Sequence, residues 1–345
     1  HSASAQRHAR KSTPFIQLEK YTERLPVETM TTNKPNILFI CTDQQNWRFA
    51  GFNGGPAETP NMDRLAAEGV NFRRCYSNSP VCVPARAAMF TGLYPSDLGA
   101  YDNAAPFDGR VPTFGHLARD VGYACAAFGK LDFWQGRDYG FSETGTMHGH
   151  DVSPDITAFF RNPLCYRPGF ARTRTGTVRS RHWPDPDTAD HAVDFIRHRT
   201  DAPAAQPWFA YVGFCYPHPP FQTSQQLLET YLDRELPLPA LPEDWHEREH
   251  PVMTLTRFHR MGQALADEQN VRRARAAYCG MMTELDRQIG RLLQALDDAG
   301  QREKTLVILT SDHGEMAGEH GIWHKNVPHE DCARVPLIMA GPGVA

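Results

Sequence analysis

Asn36-Ile37-Leu38-Phe39-Ile40-Cys41-Thr42-Asp43-Gln44-Gln45 decides how the chain folds. Its apolar run has no polar alternation, as expected of a parallel strand covered on both faces. It stops abruptly at an acid and two amides. Thr305–Thr310 repeats the pattern with Leu306-Val307-Ile308-Leu309 and ends in Ser311-Asp312-His313-Gly314. Tyr123–Phe128, Pro207–Cys215 and Val335–Ala340 read as further strands, and Val70–Tyr76 as another leading into a cysteine loop. Helical spacing marks Pro60–Gly69, Thr113–Gly122, Asp187–Arg199 and above all Glu268–Ala299, which Gly300 should end.

Strands alternating with helices predict an α/β fold, a mostly parallel sheet flanked by helices on both faces. Sites in such sheets form outside the carboxyl ends of the strands. Asp43, Lys130, His218 and Asp312-His313 each follow a predicted strand end, which points to one shared pocket. Residues 1–33 are polar and basic and read as an arm or tail, with residues 34–345 forming the α/β domain. Two stretches without clear periodicity, 135–186 and 222–266, read as long insertions.

The composition, 41% hydrophobic and 22% charged over 345 residues, is that of a globular chain. A net charge of −4 gives no polyanion-binding signal, so nucleic acid is not an expected partner. No apolar run reaches the ~20 residues that span a bilayer. Eight cysteines without a short metal-ligand spacing read as mostly reduced. That favours a cytoplasmic location, or a periplasmic or secreted one if a leader has been removed. Nothing in the sequence decides between a monomer and a homo-oligomer.

Between the first two helices lies Asn78-Ser79-Pro80-Val81-Cys82-Val83-Pro84-Ala85-Arg86-Ala87-Ala88-Met89-Phe90-Thr91-Gly92. Pro84 suits a first helical position and Gly92 a stop, which puts Cys82 just before a helix start. Unpaired N–H groups there favour an anion. Arg86, four residues on, shares that helical face and can fork onto anionic oxygens. The plainer alternative is a buried thiol beside a helix start. The Cys82–Arg86 spacing is too short for a tyrosine-phosphatase loop.

Asp43, Gln44, Asp312 and His313 offer oxygen and nitrogen donors at two strand ends. They suit Ca²⁺, Mg²⁺ or Mn²⁺, with the histidine shifting the balance toward a transition ion. The alternative is that Asp43 and Asp312 cap helices. His218 could equally be a loop histidine among prolines, and Lys325 a solvated lysine.

Cys82-x-Pro84-x-Arg86 resembles the signature of the sulfatase family, in the alkaline phosphatase superfamily. The resemblance spans about residues 35–343 and carries specific implications. A maturation enzyme would oxidise Cys82 to formylglycine, whose hydrate is the nucleophile. Asp43, Gln44, Asp312 and His313, with the modified Cys82, would hold a divalent metal, Ca²⁺ foremost. The Asp-Gln and Asp-His forms are similar to those of phosphonate monoester hydrolases, as are Pro217-His218-Pro219-Pro220-Phe221 and Arg275-Ala276-x-Tyr278-Cys279-Gly280. Phe128-Gly129-Lys130-Leu131-Asp132-Phe133 looks more like arylsulfatase K, with Asp132 where many sulfatases carry histidine.

By the same resemblance Arg86, Lys130, His218 and Lys325 would contact sulfate and leaving group, with His324 a further candidate. Either His218 or Lys325 would protonate the departing oxygen. Asp132 would be a base, a metal or substrate contact, or a structural acceptor. The implied substrate is a sulfate monoester of a saccharide or a small alcohol or phenol. A phosphonate or phosphodiester hydrolase using the same site is the first alternative, and a non-catalytic module binding sulfated ligands the second. The family's C-terminal antiparallel subdomain is expected to be missing from this chain.

Overall fold

The computed structural model describes residues 34–103, 106–150, 176–179, 184–199, 206–239, 250–251, 253 and 267–344. Among these, the central sheet has the strand order β2-β11-β9-β1-β7-β4-β5. The strands are β1 (Asn36–Thr42), β2 (Val70–Asn71), β4 (Ala124–Trp134), β5 (Glu143–His150), β7 (Trp208–Gly213), β9 (Thr305–Ser311) and β11 (Leu337–Ala340). β1 is central, parallel to β7 on one side and to β9 on the other. β4 and β5 extend the parallel part, while β11 runs antiparallel to β9 and pairs antiparallel with β2. The mostly parallel sheet read from the sequence is therefore present.

Alternation along the strands explains the continuous apolar runs. Leu38, Ile40, Ala210, Val212, Val307 and Leu309 face one core. That core is closed by α1 (Pro60–Glu68), α5 (Asp185–His198), α6 (Gln225–Leu232) and the long α7 (Glu268–Asp298). Cys41, Ala127, Leu131 and Tyr211 face the other, under α2 (Cys82–Thr91), α3 (Pro95–Leu98) and α4 (Phe114–Asp120). Phe90 of α2 sits at the centre of that second core, 4.2 Å from Phe114 and 4.8 Å from both Phe133 and Tyr211. Helices thus cover both faces, and the second core fixes the helix that begins with Cys82. Among the described residues no helix is long and apolar enough to cross a membrane.

Four local expectations change. Val70–Tyr76 is not one strand: β2 joins the main sheet, whereas β3 (Cys75–Tyr76) pairs with β10 (Arg334–Val335). β4 does not stop at Phe128 but runs to Trp134, so Lys130 and Asp132 lie within it. Gly129, at φ +79°, permits this, because a Cβ there would stand 2.1 Å from the Gly213 carbonyl oxygen. The insertion 135–186 contains β5 and the short β6 (Thr177–Val178). The excursion 222–266 contains β8 (Gln222–Thr223), which pairs with β6, and then α6.

Candidate active site

The carboxyl ends of β1 and β9 lie side by side, Thr42 opposite Ser311, so Asp43 and Asp312 leave the sheet together. Neither caps a helix. Gln44 instead takes a left-handed φ of 67°, turning the chain back over the strand ends. Its N–H donates to Asp312 Oδ1 at 3.1 Å, and its carbonyl accepts from the Tyr278 hydroxyl at 2.7 Å. Asp43, Asp312 and His313 are fully or almost fully buried. Cys82 joins them from α2, and one donor atom of each of these four residues lies within 4.8 Å of the others.

Helix α2 begins two residues earlier than its proline suggested: Cys82, not Pro84, is its first residue. No side chain of the preceding residue caps it, but Asn103 Oδ1 accepts from the Val83 N–H at 3.1 Å. Gly92, at φ 71°, closes the helix as expected. The Cys82 thiol meets Lys325 Nζ at 2.7 Å, His313 Nε2 at 3.4 Å and Asp43 Oδ1 at 3.9 Å. Lys325 is buried, not a solvated surface lysine. Burial alone would raise the Cys82 pKa, but Lys130 and Lys325 outweigh it and hold the thiol well below its usual range.

Arg86 is entirely buried. Its Nε donates to Asp312 Oδ2 at 2.9 Å, and its Nη1 to the Lys130 carbonyl and the Tyr211 hydroxyl, both at 2.8 Å. Its Nη2 has no hydrogen-bond partner among the described residues. Lys130 Nζ pairs with Asp43 and lies 3.0 Å from Asp132 Oδ2, which is also 3.9 Å from Arg86 Nε. Burial opposes the charge on Lys130, yet Asp132 and Asp43 raise its pKa well above the ordinary lysine value. Asp43, in turn, would be raised by burial, but Lys130, His218, Lys325 and Arg86 together lower it. Asp132, at φ 61°, thus pairs electrostatically with the two cations and lies outside the four-residue donor group.

Two histidines have their ring orientation set by carbonyls, which can only accept. His313 Nδ1 donates to the Gly314 carbonyl at 3.0 Å, leaving Nε2 toward Cys82 and the carboxylates. His218 Nδ1 donates to the Pro219 carbonyl at 2.7 Å, leaving Nε2 as its exchangeable nitrogen. His218 sits between two cis bonds, Tyr216-Pro217 and Pro219-Pro220. It is near enough to Asp43 to act on that carboxylate together with Lys130, Lys325 and Arg86. His324 stands further back: its ring packs on Phe221 at 5.8 Å and its N–H donates to Glu315 Oε1 at 2.6 Å. Trp134 is 39% exposed at the end of β4. The side chains of His148 and His150, read as possible cleft residues, lie outside the described residues.

The donor set fits a divalent cation on three observations. Carboxylates from two strand ends converge with one imidazole nitrogen and the Cys82 position. His313 presents the nitrogen that its backbone bond leaves open. Gln44 Oε1 is buried without a hydrogen-bond partner among the described residues, a costly arrangement unless an ion meets that oxygen.

The sequence did not point to Tyr211, whose hydroxyl accepts from Arg86 and donates to the Lys130 carbonyl at 3.2 Å. Nor did it single out Glu315, which binds the Gln44 amide, although the run Asp312-His313-Gly314-Glu315 displays it. Asp185 was also unmarked. Its fully buried carboxyl accepts from Cys215 N at 2.7 Å and Tyr216 N at 2.8 Å, anchoring the segment that carries His218.

Comparison with known proteins agrees with this geometry. The family model "Sulfatase" matches residues 35–345. The choline-sulfatase of Rhizobium meliloti (strain 1021) is 34% identical over 334 residues, covering 92% of this chain and 64% of that protein. Arylsulfatase K of Bos taurus is 28% identical, covering 90% of this chain and 58% of that protein. This chain thus spans about three fifths of those two relatives. The solved phosphonate monoester hydrolase of Agrobacterium radiobacter superposes with a TM-score of 0.70 at 26% identity, covering 90% of this chain and 68% of that one. The chain belongs to the sulfatase family.

Proposed function

We propose that this chain carries the catalytic centre of a sulfuric ester hydrolase that cleaves a sulfate monoester through a formylglycine made from Cys82. The supporting observation is the position of Cys82. It opens a helix beside Lys325 Nζ at 2.7 Å, within a 4.8 Å cluster of metal-type donors. The Sγ atom marks where the attacking oxygen of the hydrated aldehyde would stand. With that modification and a divalent ion on Asp43, Gln44, Asp312 and His313, the site would supply an oxyanion nucleophile at neutral pH.

The chain's own residues account for the rest of the chemistry. Arg86, Lys130 and Lys325 gather positive charge where a sulfate must enter, and burial strengthens their pull on it. Arg86 is held by Asp312, Tyr211 and the Lys130 carbonyl, so its unpartnered Nη2 needs no reorganisation to meet an anion. Asp132 keeps the Lys130 ammonium in place. His218, through Nε2, or Lys325 donates the proton that the leaving oxygen requires.

Ca²⁺ is the ion we assign first, from the family resemblance and the oxygen donors; only two carboxylates and one imidazole weaken that preference and make Mg²⁺ and Mn²⁺ the alternatives. The names of the relatives point to choline sulfate and aryl sulfates as substrates to assay; saccharide sulfates join them from the resemblance read in the sequence. A second reading, phosphonate monoester hydrolysis, is favoured by the 26% identical phosphonate hydrolase.

Two measurements test the proposal. Mass analysis of the Cys82 peptide from the native host should show the thiol replaced by the aldehyde or its hydrate. Paired aryl sulfate and aryl phosphonate esters should then be hydrolysed with the sulfate preferred. An intact thiol in that protein defeats the formylglycine mechanism, and a phosphonate preference replaces the substrate class.

A further inference from the structure

An amide placed beside a metal has a problem that a carboxylate lacks: only one of its two ends can act as a ligand. Gln44 is fully buried, and its backbone is pinned at both polar atoms, by Asp312 and by Tyr278. Its orientation is therefore decided at the side chain. There the Nε2 group donates to Glu315 Oε2, and Oε1 has no hydrogen-bond partner among the described residues.

Glu315 is itself fully buried. Its other oxygen, Oε1, accepts from the backbone N–H of Ala317 at 2.9 Å and of His324 at 2.6 Å. Backbone N–H groups only donate, so the carboxylate is committed as an acceptor on that side, and Oε2 completes the set by accepting the amide. Rotating the Gln44 amide by half a turn would set a carbonyl oxygen against Oε2 and present an NH₂ group to the cation. The Glu315 carboxylate excludes that arrangement.

We propose that Glu315 is a positioning residue of the metal centre: by taking the Gln44 Nε2–H it reserves the carbonyl oxygen Oε1 for the ion. This rests on the metal-centre reading given above. The same carboxylate binds the N–H of His324, next to Lys325, whose Nζ lies on Cys82. One buried group therefore registers a metal ligand and the segment bearing a substrate-facing lysine.

The test is calorimetric titration of Ca²⁺, and separately Mn²⁺, into metal-stripped protein, with thermal melts of the metal-free forms. Glu315→Gln keeps an oxygen for the two backbone N–H groups. Its own amide, however, can donate to Gln44 Oε1 and occupy the ligand atom. Metal affinity should fall about 10- to 100-fold, the usual cost of losing an outer partner of a ligand, with the metal-free melt near that of the wild type. The exchanged pair, Gln44→Glu with Glu315→Gln, restores one donor and one ligand oxygen and should regain affinity to within about threefold. If Glu315→Gln alone does not fold, the exchanged pair decides by the same criterion.

Glu315→Gln binding metal as the wild type does would overturn the assignment, as would an exchanged pair that folds but fails to recover binding. A wild type that binds no divalent ion would overturn the metal centre, and this inference with it.

Discussion

Replacing Asp185 by asparagine should remove a loss of stability that the wild type undergoes as the pH rises from 6 to 8. Asp185 lies in the first turn of α5, fully buried, and burial pushes its carboxyl from 3.8 up to about 8. The N–H groups of Cys215 and Tyr216 and the helix N-terminus pull the other way. The folded state therefore keeps a proton that the unfolded chain releases near pH 4. Such a group contributes most to stability below its unfolded pKa and loses that contribution as the pH rises through its folded value.

The slope is about 1.4 kcal/mol per pH unit, so the wild type should lose roughly 2–3 kcal/mol between pH 6 and 8 through this residue alone. Asparagine has the shape of the neutral carboxyl, keeps one acceptor oxygen and does not titrate. Urea denaturation of both proteins at pH 5, 6, 7 and 8 gives the difference between variants directly, and all other titrating groups cancel. A difference that does not change with pH would refute the reasoning: the carboxyl would then be ionised throughout, with its two amide donors and the helix outweighing burial.

Four further outcomes are expected. Cys82→Ala should abolish hydrolysis of an aryl sulfate yet leave a cooperative melt; turnover at the wild-type rate would remove Cys82 as nucleophile. Arg86→Met leaves the buried Asp312 carboxylate without its cation and should cost about 3–5 kcal/mol in urea denaturation. Tyr211→Phe removes one acceptor from an Arg86 Nη1 that keeps the Lys130 carbonyl, and should cost only about 0.5–1.5 kcal/mol. In protein carrying the unmodified thiol, Lys325→Met removes a charge that lowers the Cys82 pKa. The thiolate absorbance should then titrate at higher pH than in the wild type.

The parts of this site that were legible in the sequence are those where local pattern and a topological rule coincide. Asp43 and Asp312 could be found because each ends a wholly apolar run, and the ends of parallel strands are where sites gather. Cys82 and Arg86 could be found because Cys82-x-Pro84-x-Arg86 resembles a family signature at a helix start, where the four-residue spacing puts both on one face. Lys130 was found for a partly wrong reason. Gly129 read as a strand end, yet Leu131 and Phe133 continue the buried alternation beyond it and keep Lys130 inside β4.

β5 was missed because Glu-Thr-Gly-Thr-Met-His-Gly-His has no apolar alternation; it is held as a strand by β4. Tyr211, Glu315 and Asp185 left no local signal of their roles. Tyr211 and its partner Arg86 are 125 residues apart, and Glu315 and Gln44 are 271 apart. No periodicity encodes a pairing at that range.

The central position of β1 bears on how the molecule is made. β1 is the first described strand to leave the ribosome, but its neighbours are β7 and β9. Phe209, which pairs with Ile37, is synthesised about 170 residues later, a delay of roughly 10–30 s at ordinary elongation rates. During that interval an apolar strand has both edges open, which calls for protection from aggregation by a chaperone or by the nascent chain itself. The delay also leaves Cys82 unenclosed, because the lysine and histidine that surround it in the fold, Lys325 and His313, are made later still. Once they arrive the thiol is 1% exposed. Any enzyme that oxidises Cys82 must therefore act on the growing or newly released chain, and competes for it with the closure of the sheet.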